Sequence, residues 1–264
     1  MASVMSYWCG KEARKALAQK HTIEMQDKYS TQIVDAINNT VVYGEDAIVP
    51  EMMNHDKIQD TKIIIEDSDS VSAIMQMASG KTAVLNFASY KNPGGMFIEG
   101  SRAQEECLCH ASFLYNVLKE ESSYYDWNNN HKNWALYRNR ALYTPNITFF
   151  NDSAQVCCDV ITCAAPNYSA YSKYNTTAGQ KPNNDALASR ILFILSIAKA
   201  QQVDTLILGA FGCGVFGQDA RTVACMFKGL LQMERFKCFD TVVFAVPDGK
   251  DQNLKRFKEV FDGE

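Results

Sequence analysis

The run Thr82-Ala-Val-Leu-Asn-Phe-Ala-Ser-Tyr-Lys-Asn-Pro-Gly-Gly-Met-Phe-Ile-Glu-Gly-Ser-Arg-Ala-Gln-Glu-Glu-Cys107 joins an apolar strand, a glycine loop and two adjacent carboxylates. Residues 82–88 are short and mostly apolar, with Gly80 before them and Asn92-Pro-Gly-Gly95 after them, the pattern of a strand buried on both faces and central in a sheet. Pro93 cannot donate to a ladder, and Gly94 and Gly95 allow positive φ and close approach of a ligand to bare backbone. The strand therefore ends in an open loop suited to sugars and phosphates. Apolar residues at roughly helical spacing from Leu108 to Leu118 then predict one helix over 104–118, opened by Glu105 and Glu106. Acidic residues in a first turn often do no more than offset the helix dipole. Here they follow a ligand-sized loop. Successive helical residues point about 100° apart, so the two glutamates cannot face one ligand in the same way. One works and one supports. A general acid at a helix N-terminus must keep its proton near neutral pH against the dipole, so burial and the ligand's own charge belong to the expectation.

A second strand-and-glycine unit follows, with a strand at 206–208 running into Gly209-Ala-Phe-Gly-Cys-Gly-Val-Phe-Gly217 and a helix predicted over 219–231. Strand, glycine turn and helix N-terminus together offer backbone N–H groups to an anion. The loop lacks the Lys-Ser/Thr ending of a P-loop and sits too late for a first dinucleotide-binding unit. Two such loops after apolar strands point to one ligand site at the carboxyl ends of a parallel sheet.

These residues resemble the bacterial-type poly(ADP-ribose) glycohydrolases, a branch of the macrodomain fold with a glycine loop followed by Gln-Glu-Glu and a diphosphate loop much like residues 209–216. The resemblance extends to an N-terminal helical extension over 11–43, the strand near 160–167 and a closing strand near 242–248. It implies a three-layer α/β/α sandwich with a mixed central sheet, divided into an extension over 1–60 and a catalytic domain over 61–264. It implies that Glu106 protonates the departing hydroxyl of a 1''-2' ribose-ribose bond and then activates water, while Glu105 orients the sugar. Ser89, Asn92, Gly94, Gly95 and Gln104 would line the distal ribose. Gly209, Phe211, Gly212, Cys213, Gly214 and Val215 would hold the diphosphate, and Phe216 would pack on the ribose. The product is ADP-ribose, and neither cofactor nor metal is implied. Met96 stands where the family continues its glycine run, so a side chain there is expected to bear on the sugar and on turnover. Hydrolysis of a single ADP-ribose on protein or nucleic acid, and binding without cleavage, are the competing functions. The intact Gln104-Glu105-Glu106 favours catalysis, because a mere binder needs no pair of carboxylates beside an anion.

Composition fits a single enzyme that acts as a monomer: 264 residues are 47% hydrophobic, enough for a large core. A net charge of -4 argues against nonspecific nucleic-acid binding. Nine cysteines and no amino-terminal signal sequence suggest reduced thiols in the cytoplasm. Cys107, Cys109 and His110 have poor spacing for zinc, so buried thiols are expected, with Cys213 the one open to oxidation if helix dipoles lower its pKa. No apolar run approaches the roughly 20 residues that span a bilayer.

Elsewhere, Ala13, Leu17, Ile23, Tyr29, Ile33 and Ile37 predict one or two helices leaning on the domain. Strands are predicted near 63–65, 84–88, 159–163, 205–208 and 241–246. Further helices are predicted near 70–78, 184–201 and 219–233. Residues 131–140, whose basic side chains are interleaved with Trp134 and Tyr137, are expected as a surface helix. Residues 124–133 and 169–181 read as polar surface loops, the tyrosines of 168–174 packing locally or stacking on a base.

Overall fold

The computed structural model describes residues 10–45, 60–175 and 179–263. Two helices come first, α1 (Lys11–Lys28) and α2 (Ser30–Asn39), then strands β1 (Val41–Tyr43) and β2 (Lys62–Glu66), helix α3 (Ser70–Met77) and strand β3 (Thr82–Phe87). Helices α4 (Gln104–His110), α5 (Leu114–Leu118) and α6 (Ser122–Asn130) follow, then the long strands β4 (Ala141–Phe150) and β5 (Gln155–Cys163). The chain continues through α7 (Tyr168–Tyr174), α8 (Lys181–Ala200), β6 (Thr205–Leu208), α9 (Ala220–Leu231), β7 (Thr241–Ala245) and α10 (Asn253–Asp262).

The described residues form a seven-stranded sheet in the order β1-β4-β5-β3-β6-β7-β2. Strands β5, β3, β6, β7 and β2 run parallel, and β4 is antiparallel to both β5 and β1. Side chains alternate across β3, so Ala83 and Leu85 pack with α8, α9 and α10 while Val84 packs with α3 to α6 and the N-terminal helices. This is the expected three-layer sandwich with a mixed sheet. Asn86 shares the face of Val84 and Thr82 and is fully buried, its amide reaching Glu105 in the layer that holds α4.

The N-terminal helices bury Ala18, His21, Met25, Tyr29, Ile33 and Ala36. This stripe differs from the one predicted: Ala13 is exposed and Ile23 is 63% exposed. The reason is that His21, read as polar, takes the inward position and donates from Nε2 to the Ser112 carbonyl at 2.8 Å.

Four further expectations change. The predicted helix over 104–118 breaks at 111–113, where Ser112 bridges Phe149 of β4 and the Ala111 carbonyl accepts from Phe150. Strand β4 was not expected, because Pro145 and the left-handed Asn146 (φ 58°) interrupt its alternation. They form a bulge that Asp159 closes by accepting from the Asn146 N–H at 2.8 Å. Residues 122–130 are helical instead of looped, since Tyr124, Tyr125 and Asn128 turn inward together. Part of the other expected loop is α7, with Tyr171 buried; residues 176–178 of that loop, and 1–9, 46–59 and 264, lie outside the described residues.

The expected surface helix over 131–140 is also absent. Asn133, Trp134 and Ala135 all have positive φ (44°, 53° and 71°), as does Tyr137 at 60°, a short left-handed turn. Such backbone costs about 1–2 kcal/mol per residue. Its inner side is fastened by burial of Leu136 and Tyr137 and by a bond from the Asn167 N–H to the Ala135 carbonyl at 2.8 Å. Beyond the turn, Arg140 stacks over Trp127 at 4.4 Å and lies beside Tyr124 at 5.4 Å. Buried Arg190 of α8 donates to the Ala164 carbonyl and to Asn139 Oδ1, tying the start of β4 to the end of β5.

Candidate active site

Strands β3, β5 and β6 are parallel, so their carboxyl ends open on one edge of the sheet, and the β4 residue Ala141 opposite Cys163 starts there too. The loop after β3 leaves this edge at Ala88 and returns at α4. Gln104 fixes the return: its Oε1 accepts from the Phe87 N–H at 2.8 Å while Nε2 donates to the Leu85 carbonyl at 2.9 Å and to Ser70 at 3.0 Å. Both ends of the amide are thus spent inside the protein. Gln104 holds the strand end against the helix start.

Glu105 and Glu106 follow, both buried. Glu105 Oε2 accepts from the Ser89 N–H at 2.7 Å, and Oε1 accepts from Asn86 Nδ2 at 3.2 Å. Burial pushes this carboxyl up from 4.5 to about 8, and the charge of Glu106 adds to the rise, while the Ser89, Asn86 and Gly94 donors pull against it. Glu106 is held differently. Its Oε1 accepts from the Met96 N–H at 2.8 Å, and its Oε2 is buried without a hydrogen-bond partner among the described residues. A buried oxygen without a donor is costly, so Glu106 differs from Glu105 in having acceptor capacity to spare.

The glycine loop brings its backbone onto both acids. Gly95 has φ 61°, and a Cβ there would stand 2.6 Å from Glu106 Oε1 and 2.9 Å from Glu105 Oε2. Gly94 meets the Tyr115 ring as closely, at 2.6 Å. Ser89 Oγ accepts from the Asn92 N–H at 3.1 Å, and the Asn92 carbonyl accepts from Gly95, which rounds the turn. Met96 gives Glu106 its N–H, does not have positive φ, and leaves its side chain 48% exposed. The extra side chain therefore leaves the turn intact. Phe97 anchors the far side of the loop, its ring 4.6 Å from His110 and 5.0 Å from Tyr115. Beyond it Lys15 of α1 pairs with Glu99 at 2.9 Å and Arg14 donates to the Gly100 carbonyl at 2.7 Å. Sequence reasoning missed Asn86, Phe97 and this helix contact. A lone Asn in an apolar strand was the available signal for the first.

The loop after β6 closes on its own backbone, with Cys213 donating to Ala210, Gly217 to Gly214 and Gln218 to Gly212. The N–H groups of Gly214, Val215 and Phe216 find no acceptor among the described residues, and Gly214 and Val215 are exposed. Gly209 is buried against the Ala245 carbonyl. Phe211 is fully buried and edge-on to Phe87, so its side chain belongs to the core. Phe216 is half-buried beside Tyr137, which stacks on Tyr90 at 4.1 Å. Burial pushes the Cys213 thiol up to about 12, with the charge of Asp219 adding to the rise, so the expected lowering of its pKa is corrected. Among the described residues no group of three or more His, Cys, Asp or Glu is placed to hold a metal. None of their helices is long and apolar enough to cross a membrane.

The family model for the catalytic domain of microbial-type PARG matches residues 11–152, a span that includes the glycine loop and both glutamates. The chain belongs to the microbial-type PARG family. Solved PARG structures agree along most of the chain. Poly(ADP-ribose) glycohydrolase from Thermomonospora curvata is 28% identical with a TM-score of 0.85, covering 95% of this chain and 100% of that one. The same enzyme bound to the inhibitor ADP-HPD gives 0.83 at 28% identity over 95% and 100%. The PARG of Deinococcus radiodurans in complex with ADP-ribose is 29% identical with a TM-score of 0.78, over 88% of this chain and 97% of that one. No curated protein matches the sequence.

Proposed function

We propose that this chain hydrolyses the ribose-ribose bonds of poly(ADP-ribose) and releases ADP-ribose, with Glu106 as the acid and base. The observation behind the assignment is the open, buried Oε2 of Glu106 beside the bare backbone of Gly95. Both oxygens of Glu105 accept from donors of β3 and its loop, which fix the carboxyl, and their remaining lone pairs would orient the sugar hydroxyls. In the first step the C1''–O2' bond breaks and Glu106 gives its proton to the leaving O2'. The ribose then has oxocarbenium character, stabilised by the nearby phosphate charge. Glu106, now a carboxylate, takes a proton from water as the water oxygen bonds to C1''.

Ser89, Asn92, Gly94 and Gly95 line the distal ribose in this reading, and the N–H groups of Gly214, Val215 and Phe216 face the diphosphate with Phe216 on the ribose. Gly209, Phe211, Gly212 and Cys213 shape that loop from beneath, and Gln104 acts through the placement of α4. The enzyme works without metal or cofactor, as a monomer, in the cytoplasm, where a reducing environment suits the free thiols of the eight described cysteines. Residues 1–60 are kept as an extension of the catalytic domain 61–264, tied to its sheet through β1.

The test compares the intact protein with Glu106→Gln on labelled poly(ADP-ribose) and on singly modified substrates, following ADP-ribose release, with calorimetry for ADP-ribose binding. The variant should bind ADP-ribose and lose about 10²–10⁴-fold in turnover. Full activity in Glu106→Gln would remove Glu106 from the mechanism. Binding without release from any substrate by the intact protein would make it a binding module instead.

A further inference from the structure

We infer that Trp134 is a stacking platform for the purine base of the leaving strand, the unit of poly(ADP-ribose) on the far side of the bond that is cut. The inference rests on the proposed polymer cleavage and adds a subsite to it. Trp134 is 74% exposed and makes no ring contact among the described residues, yet it sits on the strained turn where Asn133, Trp134 and Ala135 share left-handed backbone. The turn is held in that shape from within. Leu136 and Tyr137 are buried, the Ala135 carbonyl accepts from Asn167, and Asn133 Nδ2 donates to the Tyr137 carbonyl at 3.3 Å. None of these fastenings uses the indole. What the strained backbone produces is a large aromatic face offered to solvent, and strain held in place by its surroundings points to function.

The position is the one a leaving strand needs. Tyr137 stacks on Tyr90, next to the Ser89 whose N–H binds Glu105, and its other side meets Phe216 at 6.1 Å. The turn therefore borders both the glycine loop and the loop after β6. It lies before β4, on the β5 side of the sheet, opposite the β7 side in strand order. The departing O2' leaves from beside Glu106, and the proposal runs the rest of the polymer from the glycine loop along this rim.

Chemistry selects the base as the group recognised. The chain carries a net charge of -4, and of the cations around the turn Arg138 pairs with Glu45 and Arg140 lies over Trp127, so the phosphates of a polyanionic substrate gain little from this surface. Each unit also carries an uncharged purine, and stacking on an aromatic ring holds a base without requiring opposite charge. A base on Trp134 would hold the leaving O2' in line while Glu106 protonates it.

The test uses two substrates, poly(ADP-ribose) and ADP-ribose joined through C1'' to p-nitrophenol, which has no purine in its leaving group. Trp134→Ala should lower kcat/KM on the polymer about tenfold, mostly through KM, and leave the nitrophenyl substrate unchanged. Trp134→Phe should keep most of the polymer activity. Poly(ADP-ribose) should quench the Trp134 fluorescence of Glu106→Gln, and the quench should vanish when Trp134→Ala is added. An equal fall on both substrates would give the indole a structural role, and no fall on the polymer would remove the subsite; either overturns the proposal. Should the intact protein cleave neither substrate, polymer cleavage itself fails, and the presence or absence of the quench still decides the platform.

Discussion

Both loops over the site turn on their own backbone bonds, and they differ in how the turn is tied down and in what it offers a ligand. The loop after β3 is fastened by side chains: Glu105 and Glu106 accept from Ser89 and Met96, Phe97 is buried between His110 and Tyr115, and Lys15 and Arg14 hold its far end. The loop after β6 is tied through the Gln218 amide to Pro166 and Asn183 and through the Phe216 carbonyl to Ser169, and it leaves three consecutive N–H groups without an acceptor among the described residues. The first places two carboxyls against bare backbone, which chemistry on a sugar requires. The second presents dipoles to an anion and needs no charge of its own. A site divided in this way separates into variants that harm catalysis and variants that harm binding.

The largest effect is expected at Gly95→Ala. The new Cβ would stand 2.6 Å from Glu106 Oε1 and 2.9 Å from Glu105 Oε2 on left-handed backbone. The acids or the loop must move, and a displacement of about 1 Å costs about 100-fold in turnover. Stability should fall by about 1–3 kcal/mol. Activity assays and urea unfolding check the two together, and a variant with wild-type kcat would show that the acids need no such closeness. In the other loop Gly212→Ala should cost stability similarly, because φ is 76° and the Cβ would meet Ala165 at 2.7 Å. Its turnover at saturating substrate should change less than that of Gly95→Ala. Equal losses in kcat would erase the distinction between the loops.

Where local chemistry decided the outcome, the sequence was enough: the apolar run 82–88, the helix start at Gln104-Glu105-Glu106 and the glycines of both loops are visible without a structure. The misread segments are those whose conformation is set by distant partners. The bulge at Pro145 and Asn146 makes sense only with Asp159 beside it on the paired strand β5. The polar stretch 122–130 is helical because Asn128 turns in to donate to the Tyr90 carbonyl at 2.9 Å, supporting the start of the glycine loop. Three left-handed residues in a row at 133–135 have no glycine to announce them. In the site itself, adjacency of the two acids was legible, but the difference between an occupied Glu105 and an open Glu106 required the donors of β3 and the loop.

The buried carboxyl of Glu105 gives the glycine-loop side a pH signature. Its pKa is about 8 in the folded chain against an ordinary 4.5. Below pH 4.5 both states are protonated and the full stability is present. Between 4.5 and 8 the unfolded chain releases the proton that the folded chain keeps, so stability falls as pH rises, by at most about 1.4 kcal/mol per pH unit, and levels off above 8. His110 on the same helix acts in the other direction: burial lowers it from 6.5 to about 4, so its contribution is lost as pH falls through that window. Thermal unfolding followed from pH 4 to 9 should show a decline on the alkaline side that Glu105→Gln removes. A decline unchanged in that variant would place the titrating group elsewhere.

The smallest effect on stability is expected at Gly214→Ala, and it tests the backbone loop most directly. A Cβ there meets no atom within 4 Å, and φ is not in the left-handed range. The folded state has nothing to lose. The unfolded chain loses conformational freedom, so stability should stay level or rise by about 0.4–1 kcal/mol. The same methyl group would stand on the exposed face beside the open N–H groups of Gly214, Val215 and Phe216, where phosphate oxygens must approach to bind. Calorimetry should therefore show weaker ADP-ribose binding in a protein that unfolds no more easily than the wild type. Unchanged affinity would mean that the diphosphate does not lie on this face, and the division between a loop for chemistry and a loop for the anion would have to be redrawn.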